Sequence, residues 1–259
     1  MPHKSELLEF AESLARQAGK ITLDYFARPI EVDLKGDNSP VTIADRKAEE
    51  FIRDQIERRF PDHGILGEEH GASRPDADFQ WIVDPIDGTK SFVRGVPLYG
   101  VMIALEERGE SRVGVIHHPA LGLTASGEMN VGAWIDGRPA RAAEARSRAE
   151  TMVLTSSFIG ILERRPRFFD ALSKAFPLQR TWGDCYGYTM VAAGRAQAML
   201  DPVMCRWDLA ALRPIIEGAG GVFSDLNGIP TTQGEHCLAA VPAIHAEIMQ
   251  LLRRCPPEA

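Results

Sequence analysis

Hydrophobic residues recur at helical spacing in two early segments of the chain, and each segment predicts an amphipathic helix. The first helix is predicted over Glu6–Phe26 and the second over Thr42–Phe60, with Thr42 as its N-cap. Apolar or alternating runs predict strands at Ile30–Leu34, Ile65–Leu66, Trp81–Val83, Tyr99–Leu105, Arg112–His117 and Val131–Ile135. Between the two helices, Lys35–Pro40 is rich in residues that interrupt regular structure and predicts a mobile loop. The first half therefore predicts an α+β arrangement of layers.

Strands and helices alternate in the second half, which is typical of an α/β fold. Strands are predicted at Met152–Ser156, Leu178–Thr181, Ala196–Leu200 and Val222–Leu226, and helices at Leu162–Ala175, Asp184–Gly194 and Leu209–Ala219. Pro214 lacks a backbone donor and lies inside the last helix, so we expect a kink near Ala210. The polar segment Arg138–Glu150 separates the two patterns. We therefore expect one domain over residues 1–140 and a second over residues 141–259.

Composition narrows the functional classes. The 259 residues are 44% hydrophobic and 25% charged, which is typical of a globular protein, and the net charge of −7 argues against a nucleic-acid partner. No apolar run approaches the roughly 18 residues of a membrane span, and the polar start, Met1 to Glu6, lacks a signal-peptide core. The four cysteines form no Cys-x-x-Cys pair. We expect a cytoplasmic protein with reduced thiols and no membrane partner.

The richest chemistry lies in the contiguous segment Asp84-Pro85-Ile86-Asp87-Gly88-Thr89. Asp84 follows a buried strand, and Pro85 is expected to end that strand. Asp84, Asp87 and the carbonyl of Ile86 offer hard oxygen ligands suited to Mg²⁺. The segment therefore predicts a metal site, although an ordinary surface turn is the alternative interpretation.

The two residues after Asp87 point to an anion. Gly88 allows a close approach of the backbone, and a helical turn starting at Thr89 would direct free N–H groups at a phosphate. Acidic residues also occur in two further segments, Gly67-Glu68-Glu69 and Trp207-Asp208. Together with Asp84 and Asp87 they supply as many separate anionic ligands as a site with two or more Mg²⁺ ions needs.

These three segments, in this order, resemble the inositol monophosphatase superfamily, and the resemblance extends over nearly the whole chain. It implies a layered αβαβα sandwich and a Mg²⁺-dependent phosphomonoesterase. It also implies two or three bound ions, Mn²⁺ as a possible substitute, inhibition by Li⁺, a small-molecule phosphate monoester as substrate and a homodimer.

The resemblance assigns roles to individual residues. Its implied metal ligands are Glu68, Asp84, Asp87, Asp208 and the carbonyl of Ile86, with Glu69 as a supporting acid or weaker ligand. Its implied water-activating pair is Thr89 with Asp45, and its phosphate-binding backbone is that of Gly88 and Thr89. Structural alternatives remain for two of these residues: Glu68 as a surface carboxylate, and Asp45 as a stabiliser of the first helical turn.

The substrate pocket is where the chain departs from the inositol-hydrolysing members. Where those carry small residues, this chain has Trp182–Tyr188, so that Asp184 and Asp201 would form an acidic pocket with Tyr186 or Trp182 as an aromatic wall. Such a pocket suits a cationic leaving group, although Asp184 could instead cap the following helix. The pattern resembles the bacterial histidinol-phosphate phosphatases of the superfamily, and we expect hydrolysis of L-histidinol phosphate. The alternatives are an inositol-1-phosphatase, a 3′,5′-nucleotide phosphatase, a fructose-1,6-bisphosphatase, or a regulatory module that binds other proteins.

Overall fold

The computed structural model describes residues 3–36 and 39–256. Its helices are α1 Glu6–Leu23, α2 Ile43–Arg59, α3 Thr89–Phe92, α4 Phe158–Arg164, α5 Pro166–Ala175, α6 Asp184–Ala192, α7 Arg206–Leu209, α8 Leu212–Gly218 and α9 Pro242–Arg254, with a 3₁₀ turn at Pro119–Leu121. Its strands are β1 Val32–Leu34, β2 Pro40–Thr42, β3 Gly64–Gly67, β4 Gly71–Ser73, β5 Phe79–Asp87, β6 Gly100–Glu107, β7 Glu110–His118, β8 Leu123–Glu128, β9 Gly132–Ile135, β10 Arg138–Pro139, β11 Val153–Leu154, β12 Gln179–Arg180, β13 Ala198–Asp201, β14 Val222–Ser224 and β15 Cys237–Ala240.

Two mixed sheets and three helical layers stack into a five-layer αβαβα sandwich, which confirms the predicted fold class. An eight-stranded sheet has the order β10-β9-β8-β7-β6-β5-β3-β4, and a five-stranded sheet has the order β12-β11-β13-β15-β14. Helices α1 and α2 cover the outer face of the large sheet, α6 and α8 fill the space between the sheets, and α5 and α9 cover the far face of the small sheet. The strands of the large sheet all precede Arg141. The division into domains 1–140 and 141–259 stays a prediction.

The alternation of side chains along the strands assigns each face of the large sheet to a different layer. Trp81 and Val83 of β5 pack with α1 and α2, whereas Ile82 between them packs with α6 and α8. Because both faces are covered by helices, β5 and β6 are almost continuously buried. This explains why an unbroken apolar run, and not an alternating one, precedes Asp84.

Several boundaries differ from the predictions. Pro85 does not end its strand: β5 continues to Asp87, and the pairing with β6 is irregular between Asp84 and Asp87. A proline is tolerated there because the ladder is already interrupted. The helix predicted at Leu162–Ala175 is two helices separated at Arg165, with a proline opening the second.

The kink expected near Ala210 is a complete break between α7 and α8. Pro214 lies in the first turn of α8, where backbone N–H groups have no helical acceptor, so the missing donor costs nothing there. Pro40, predicted as part of a loop, begins β2, and the loop residues Asp37 and Asn38 lie outside the described residues. Within the described ranges, no helix combines the length and apolar character needed to cross a membrane.

Candidate active site

The carboxylates of Asp84, Asp87 and Asp208 converge at the end of β5. One oxygen from each lies within 4.8 Å of the others. Asp84 and Asp87 come from β5, and Asp208 comes from the single turn of α7, which packs against β5. The fold therefore brings Asp208, which is distant in the sequence, to the same point as Asp84 and Asp87. The sequence predicted this convergence.

Burying these carboxylates without a bound cation costs free energy of folding. Burial raises the pKa of Asp84 well above its usual value, and the charge of Glu68 is the next largest cause. The pKa of Asp87 is raised in the same way, with Asp184 as its strongest neighbouring charge. Burial also raises the pKa of Asp208 to about 7. Burial and mutual repulsion thus disfavour the charged form of each of these carboxylates when no cation is bound.

Backbone donors fix the orientation of each carboxylate. The backbone N–H of Ile86 donates to Asp84 Oδ1 at 2.9 Å, and the N–H of Cys185 at the start of α6 donates to Asp87 Oδ2 at 2.5 Å. Asp208 Oδ2 accepts the N–H of Cys205 at 2.7 Å as part of a capping box at the start of α7. In each case a backbone N–H fixes one oxygen of the carboxylate and therefore its orientation.

Glu68 reaches the cluster because β3 and β5 are parallel neighbours. Their register pairs Gly67 with Val83, and the N–H of Glu68 donates to the Val83 carbonyl at 3.2 Å, directly before Asp84. The ammonium of Lys35 lies 2.7 Å from both Glu68 and Glu69. Its pKa is raised above the ordinary value because the hydrogen bonds and charges of these two acids outweigh the effect of partial burial. A cation between Glu68 and Glu69 is thus favoured.

The segment after Asp87 has the predicted conformation. Gly88 has φ +83°, and α3 begins at Thr89. A Cβ at Gly88 would lie 2.9 Å from Asp184 Oδ2, so glycine is required both for the backbone angle and for the approach of Asp184. The first N–H groups of a helix have no intrahelical acceptor, so this turn presents donors to the cleft.

Thr89 and Asp45 do not form a direct hydrogen bond in the described structure. Thr89 Oγ1 donates to the Ile86 carbonyl at 3.0 Å, and Asp45 Oδ2 accepts the N–H and the hydroxyl of Thr42 at 2.8 and 2.6 Å. Asp45 therefore caps α2, as the structural alternative proposed. Its other oxygen, Oδ1, is buried without a hydrogen-bond partner in the described part of the chain. Its pairing with Thr89 in catalysis stays a prediction.

Asp184 faces the cluster of Asp84, Asp87 and Asp208 and does not cap its helix. It is the first residue of α6, with φ +51°, and no side-chain cap bond forms at this end. Its carboxylate lies beside Gly88 and 3.5 Å from the hydroxyl of Ser91. Burial raises its pKa. The capping alternative is therefore wrong, whereas the substrate role stays a prediction.

Asp201 is buried and already surrounded by donors. It accepts the N–H and hydroxyl of Ser156 at 2.7 and 2.9 Å, the hydroxyl of Thr155 at 3.2 Å and that of Tyr188 at 3.0 Å. Burial raises its pKa to about 6 despite these bonds. Ser156 Oγ also accepts the N–H of Asp184 at 2.8 Å, so Ser156 links the two acids. Asp201 fixes this wall of the pocket, and its direct contact with a substrate stays a prediction.

Tyr188 is the aromatic residue that lines the inner part of the pocket, beside Asp201. Tyr186 packs its ring against His118, and Trp182 is 40% exposed. The position that α6 turns towards Asp201 is therefore Tyr188, four residues after Asp184, and a wall built by Tyr186 or Trp182 stays a prediction.

Two adjoining cavities surround these residues. An outer cavity of about 490 Å³ is lined by Lys35, Gly36, Ser39, Pro40, Glu68, Asp87, Gly88, Thr89, Lys90, Asp184, Val203, Cys205, Trp207 and Asp208. An inner cavity of about 110 Å³ is lined by Asp87, Ser156, Asp184, Cys185, Tyr188, Asp201, Val203, Met204 and Asp208. Asp87, Asp184 and Asp208 border both. A phosphate ester in the outer cavity can therefore extend its organic part towards the inner one.

The donor set fits a divalent cation that prefers oxygen. Asp84, Asp87, Asp208 and Glu68 are carboxylates, and the buried oxygen of Asp45 is left without a partner in the described residues. Buried charges of one sign normally require a counter-ion, and Lys35 neutralises only the side of Glu68 and Glu69. The residues present thus fit Mg²⁺.

Sequence reasoning missed Glu49, which holds the turn after β3 from inside the protein. It is fully buried and accepts the N–H groups of Glu69 and His70 at 2.7 and 3.1 Å. Its position four residues after Asp45 was the available signal, because the two share a helix face.

Comparison with known proteins agrees with this geometry. The profile of the inositol monophosphatase family matches residues 3–256. A histidinol-phosphatase of Chlorobaculum parvum is 47% identical over 223 residues, which cover 85% of this chain and 86% of the relative. A histidinol-phosphatase of Mycobacterium tuberculosis is 36% identical, over 97% of this chain and 99% of the relative. The solved structure of an IMPase of Thermotoga maritima superposes with a TM-score of 0.88 at 30% identity, over 97% of this chain and 98% of that one.

The fold, the acidic cleft and these similarities define a phosphoric monoester hydrolase. The chain belongs to the inositol monophosphatase family.

Proposed function

We propose that the protein is a Mg²⁺-dependent phosphatase that hydrolyses L-histidinol phosphate to L-histidinol and phosphate in histidine biosynthesis. The observation that carries this substrate is the position of Asp184, which borders both cavities together with Asp87 and Asp208. An extra acid next to the proposed metal ligands repels the phosphate of any substrate. A neutral polyol leaving group would not offset this repulsion, whereas a leaving group that carries an ammonium and an imidazole is attracted to the acid. The names of the two histidinol-phosphatase relatives support the same choice.

The metal is held in this proposal by Glu68, Asp84, Asp87, Asp208 and the carbonyl of Ile86. When bound, Mg²⁺ neutralises phosphate charge and makes water a stronger nucleophile at neutral pH. The backbone N–H groups of Gly88 and Thr89 orient the phosphate at the start of α3.

The proton of the attacking water goes to the protein. A hydroxyl is too weak a base alone, so Thr89 orients the water and Asp45 supplies the carboxylate that accepts the proton. The buried Oδ1 of Asp45 supports this role, because it has no partner in the described residues and its pKa is raised by burial. Water attacks phosphorus as the bond to the alcohol oxygen breaks, and the leaving oxygen takes a proton from solvent and departs as the alcohol, so no covalent phosphoenzyme is needed.

A panel of histidinol phosphate, inositol-1-phosphate, fructose-1,6-bisphosphate and 3′-phosphoadenosine-5′-phosphate tests the substrate. We expect histidinol phosphate to have the highest kcat/KM. We also expect Asp184→Asn to lower kcat/KM for histidinol phosphate by about tenfold, or about 1.4 kcal/mol, and to leave that for inositol-1-phosphate within about twofold. Asp170→Asn, which changes an exposed acid paired with Lys174 on α5, is the matched control. Preference for inositol-1-phosphate in the wild type would contradict the proposal.

An inositol-1-phosphatase is the second candidate, supported by the likeness to the Thermotoga maritima IMPase. A module that acts only through protein partners would release no phosphate from any member of the panel, with or without Mg²⁺. We further propose that the enzyme is cytoplasmic and forms a homodimer. Sedimentation of the purified protein would test the homodimer.

A further inference from the structure

We infer that Glu49 and Arg53 of α2 form a clamp that positions Glu68 for metal binding. The clamp joins Glu49 and Arg53 to the turn of residues 67–71, which connects β3 and β4. This inference rests on the proposed role of Glu68 as a metal ligand, and it concerns residues that touch neither the substrate nor the cluster of Asp84, Asp87 and Asp208.

Glu49 is a buried carboxylate that accepts hydrogen bonds from three N–H donors among the described residues. Oε2 accepts the N–H of Glu69 at 2.7 Å, and Oε1 accepts the N–H of His70 at 3.1 Å and the Nε–H of Arg53 at 2.7 Å. The side chain has no exposed surface. A buried charge bonded in this way fixes two consecutive amides of the turn directly after Glu68.

Arg53 completes the clamp at the far end of the turn. It lies one helical turn after Glu49, pairs with its carboxylate, and donates a second hydrogen bond to the carbonyl of Gly71. The contacts therefore span the whole of residues 67–71, and both come from one face of α2.

The turn is also shaped to receive the carboxylate. Gly67 lies against Glu49, and a Cβ at this position would collide with the carboxylate group. The N–H of Glu68 donates to the Val83 carbonyl on the β5 side, and the N–H of the next residue, Glu69, donates to Glu49 on the α2 side. The backbone that carries the Glu68 side chain is therefore held from both sides. A ligand on a turn binds a metal tightly only if the turn does not move, which is the function that this clamp serves.

Glu49→Gln tests the inference. Glutamine keeps the shape but turns one acceptor into an NH₂ group that faces a backbone N–H, so one amide of the turn loses its partner. We expect the dissociation constant for Mg²⁺, measured by calorimetry on the protein without substrate, to rise about 10- to 100-fold. At saturating Mg²⁺ we expect KM for the phosphate ester to remain within about twofold. Hydrogen exchange at the amides of Glu69 and His70 should become faster.

Glu50→Gln is the matched control, because Glu50 is the next residue on α2, is 65% exposed, and lies 3.9 Å from the His70 side chain of the turn. We expect its Mg²⁺ affinity to equal that of the wild type. Gly67→Ala attacks the same contact from the other side and should weaken Mg²⁺ binding in the same way, so a Glu49 variant that does not fold leaves the test intact. Wild-type affinity in Glu49→Gln or in Gly67→Ala would overturn the clamp, whereas absence of Mg²⁺ binding by the wild type would instead overturn the proposed metal site.

Discussion

Asp87 joins two parts of the molecule at the scale of a single residue. It ends β5, its carboxylate receives the N–H of Cys185 from α6, and Asp184 is the neighbouring charge that most raises its pKa. The residue therefore links the acidic cluster, which we propose binds Mg²⁺, to the pocket wall that we expect to select the substrate. A substitution that removes the charge of Asp87 but keeps its shape therefore separates its role in the site from its role in the fold.

Asp87→Asn should reduce Mg²⁺-dependent phosphate release by about 10³-fold, because a metal ligand is lost and several kcal/mol of transition-state stabilisation go with it. The amide oxygen can still accept from Cys185, so we expect the circular dichroism spectrum and the melting temperature without metal to match the wild type or to rise slightly. The measurement is phosphate release at saturating ester across a range of Mg²⁺. Activity close to that of the wild type would remove Asp87 from the ligand set.

Residues next to each other in the chain were the easiest to predict. The segment from Asp84 to Thr89 carries its chemistry in six consecutive positions, so its acids, its glycine and its helical turn could be recognised together. Glu49 was harder to recognise: its spacing from Asp45 places both on one helix face, but a glutamate on an amphipathic helix is usually exposed, and only the turn after β3 makes it buried. The partners of Asp201 and the inward position of Tyr188 likewise depend on contacts between distant segments.

At the scale of elements, α7 is too short to be stable alone. It has four residues, and a helix of one turn gains too few hydrogen bonds to offset the cost of nucleation. Arg206, its first residue, forms an ion pair with the fully buried Glu106 at the end of β6, and Glu106 also accepts the hydroxyl of Thr232 at 3.0 Å. These contacts anchor the turn that carries Asp208.

Glu106→Gln should destabilise the protein by about 3 kcal/mol, the lower end of the range for breaking a buried ion pair, since the Arg206 side chain is 34% exposed. Urea unfolding of the metal-free protein measures this loss. Glu107→Gln is the control, because that neighbouring acid pairs with Arg112, which is 53% exposed, and we expect a change below about 1 kcal/mol. Equal effects of the two substitutions would show that the buried pair does not anchor α7.

The elements themselves were largely predictable where the hydrophobic period was strong. Both N-terminal helices, the strands at the core of the large sheet and the α/β alternation of the second half are present. The strand β8 was missed because Leu123–Glu128 contains few apolar residues, and its pairing with β7 and β9 supplies the stability that its own sequence lacks. β15 and α9 were also absent from the prediction, although the apolar period of Pro242–Arg254 is clear. The order of strands within each sheet depends on long-range pairing that no local pattern specifies.

At the scale of the whole molecule, the acids of the cleft oppose folding when no metal is present. Burial raises the pKa of Asp208 to about 7 from an ordinary value of 3.8, and the pKa values of Asp84 and Asp87 are raised as well. Two histidines act in the opposite direction, because burial lowers the pKa of His117 and of His118 to about 4 from 6.5. The folded protein thus binds protons at the acids and excludes them from these imidazoles.

The acid and imidazole contributions overlap between about pH 6.5 and pH 8, and they have opposite signs. His117 and His118 bind fewer protons in the folded state than in the unfolded state, so their contribution to stability rises with pH until about one pH unit above the unfolded value of 6.5. Asp208 binds more protons in the folded state, so its contribution to stability falls as the pH rises through about 7. Comparison with Asp208→Asn isolates the acid, because the histidines contribute equally to both proteins. Between about pH 6.5 and pH 8 we expect the free energy of unfolding of the metal-free wild type, relative to that of Asp208→Asn, to fall by about 1 kcal/mol.

Mg²⁺ should reverse this trend, because it binds the deprotonated acids of the folded protein and stabilises by about 2.7 kcal/mol when its concentration is about 100 times the dissociation constant. We expect the rise in melting temperature on adding Mg²⁺ to be greater at about pH 8 than at about pH 6.5. Asp208→Asn lacks the group that titrates near pH 7, so the metal-free variant should gain stability relative to the wild type as the pH rises over this window. Thermal unfolding of both proteins in chelator and in Mg²⁺ at several pH values measures these quantities. A stability difference between the two metal-free proteins that does not change over this window would mean that Asp208 does not accumulate uncompensated charge in the cleft, and the physical reason for a metal at the end of β5 would be lost.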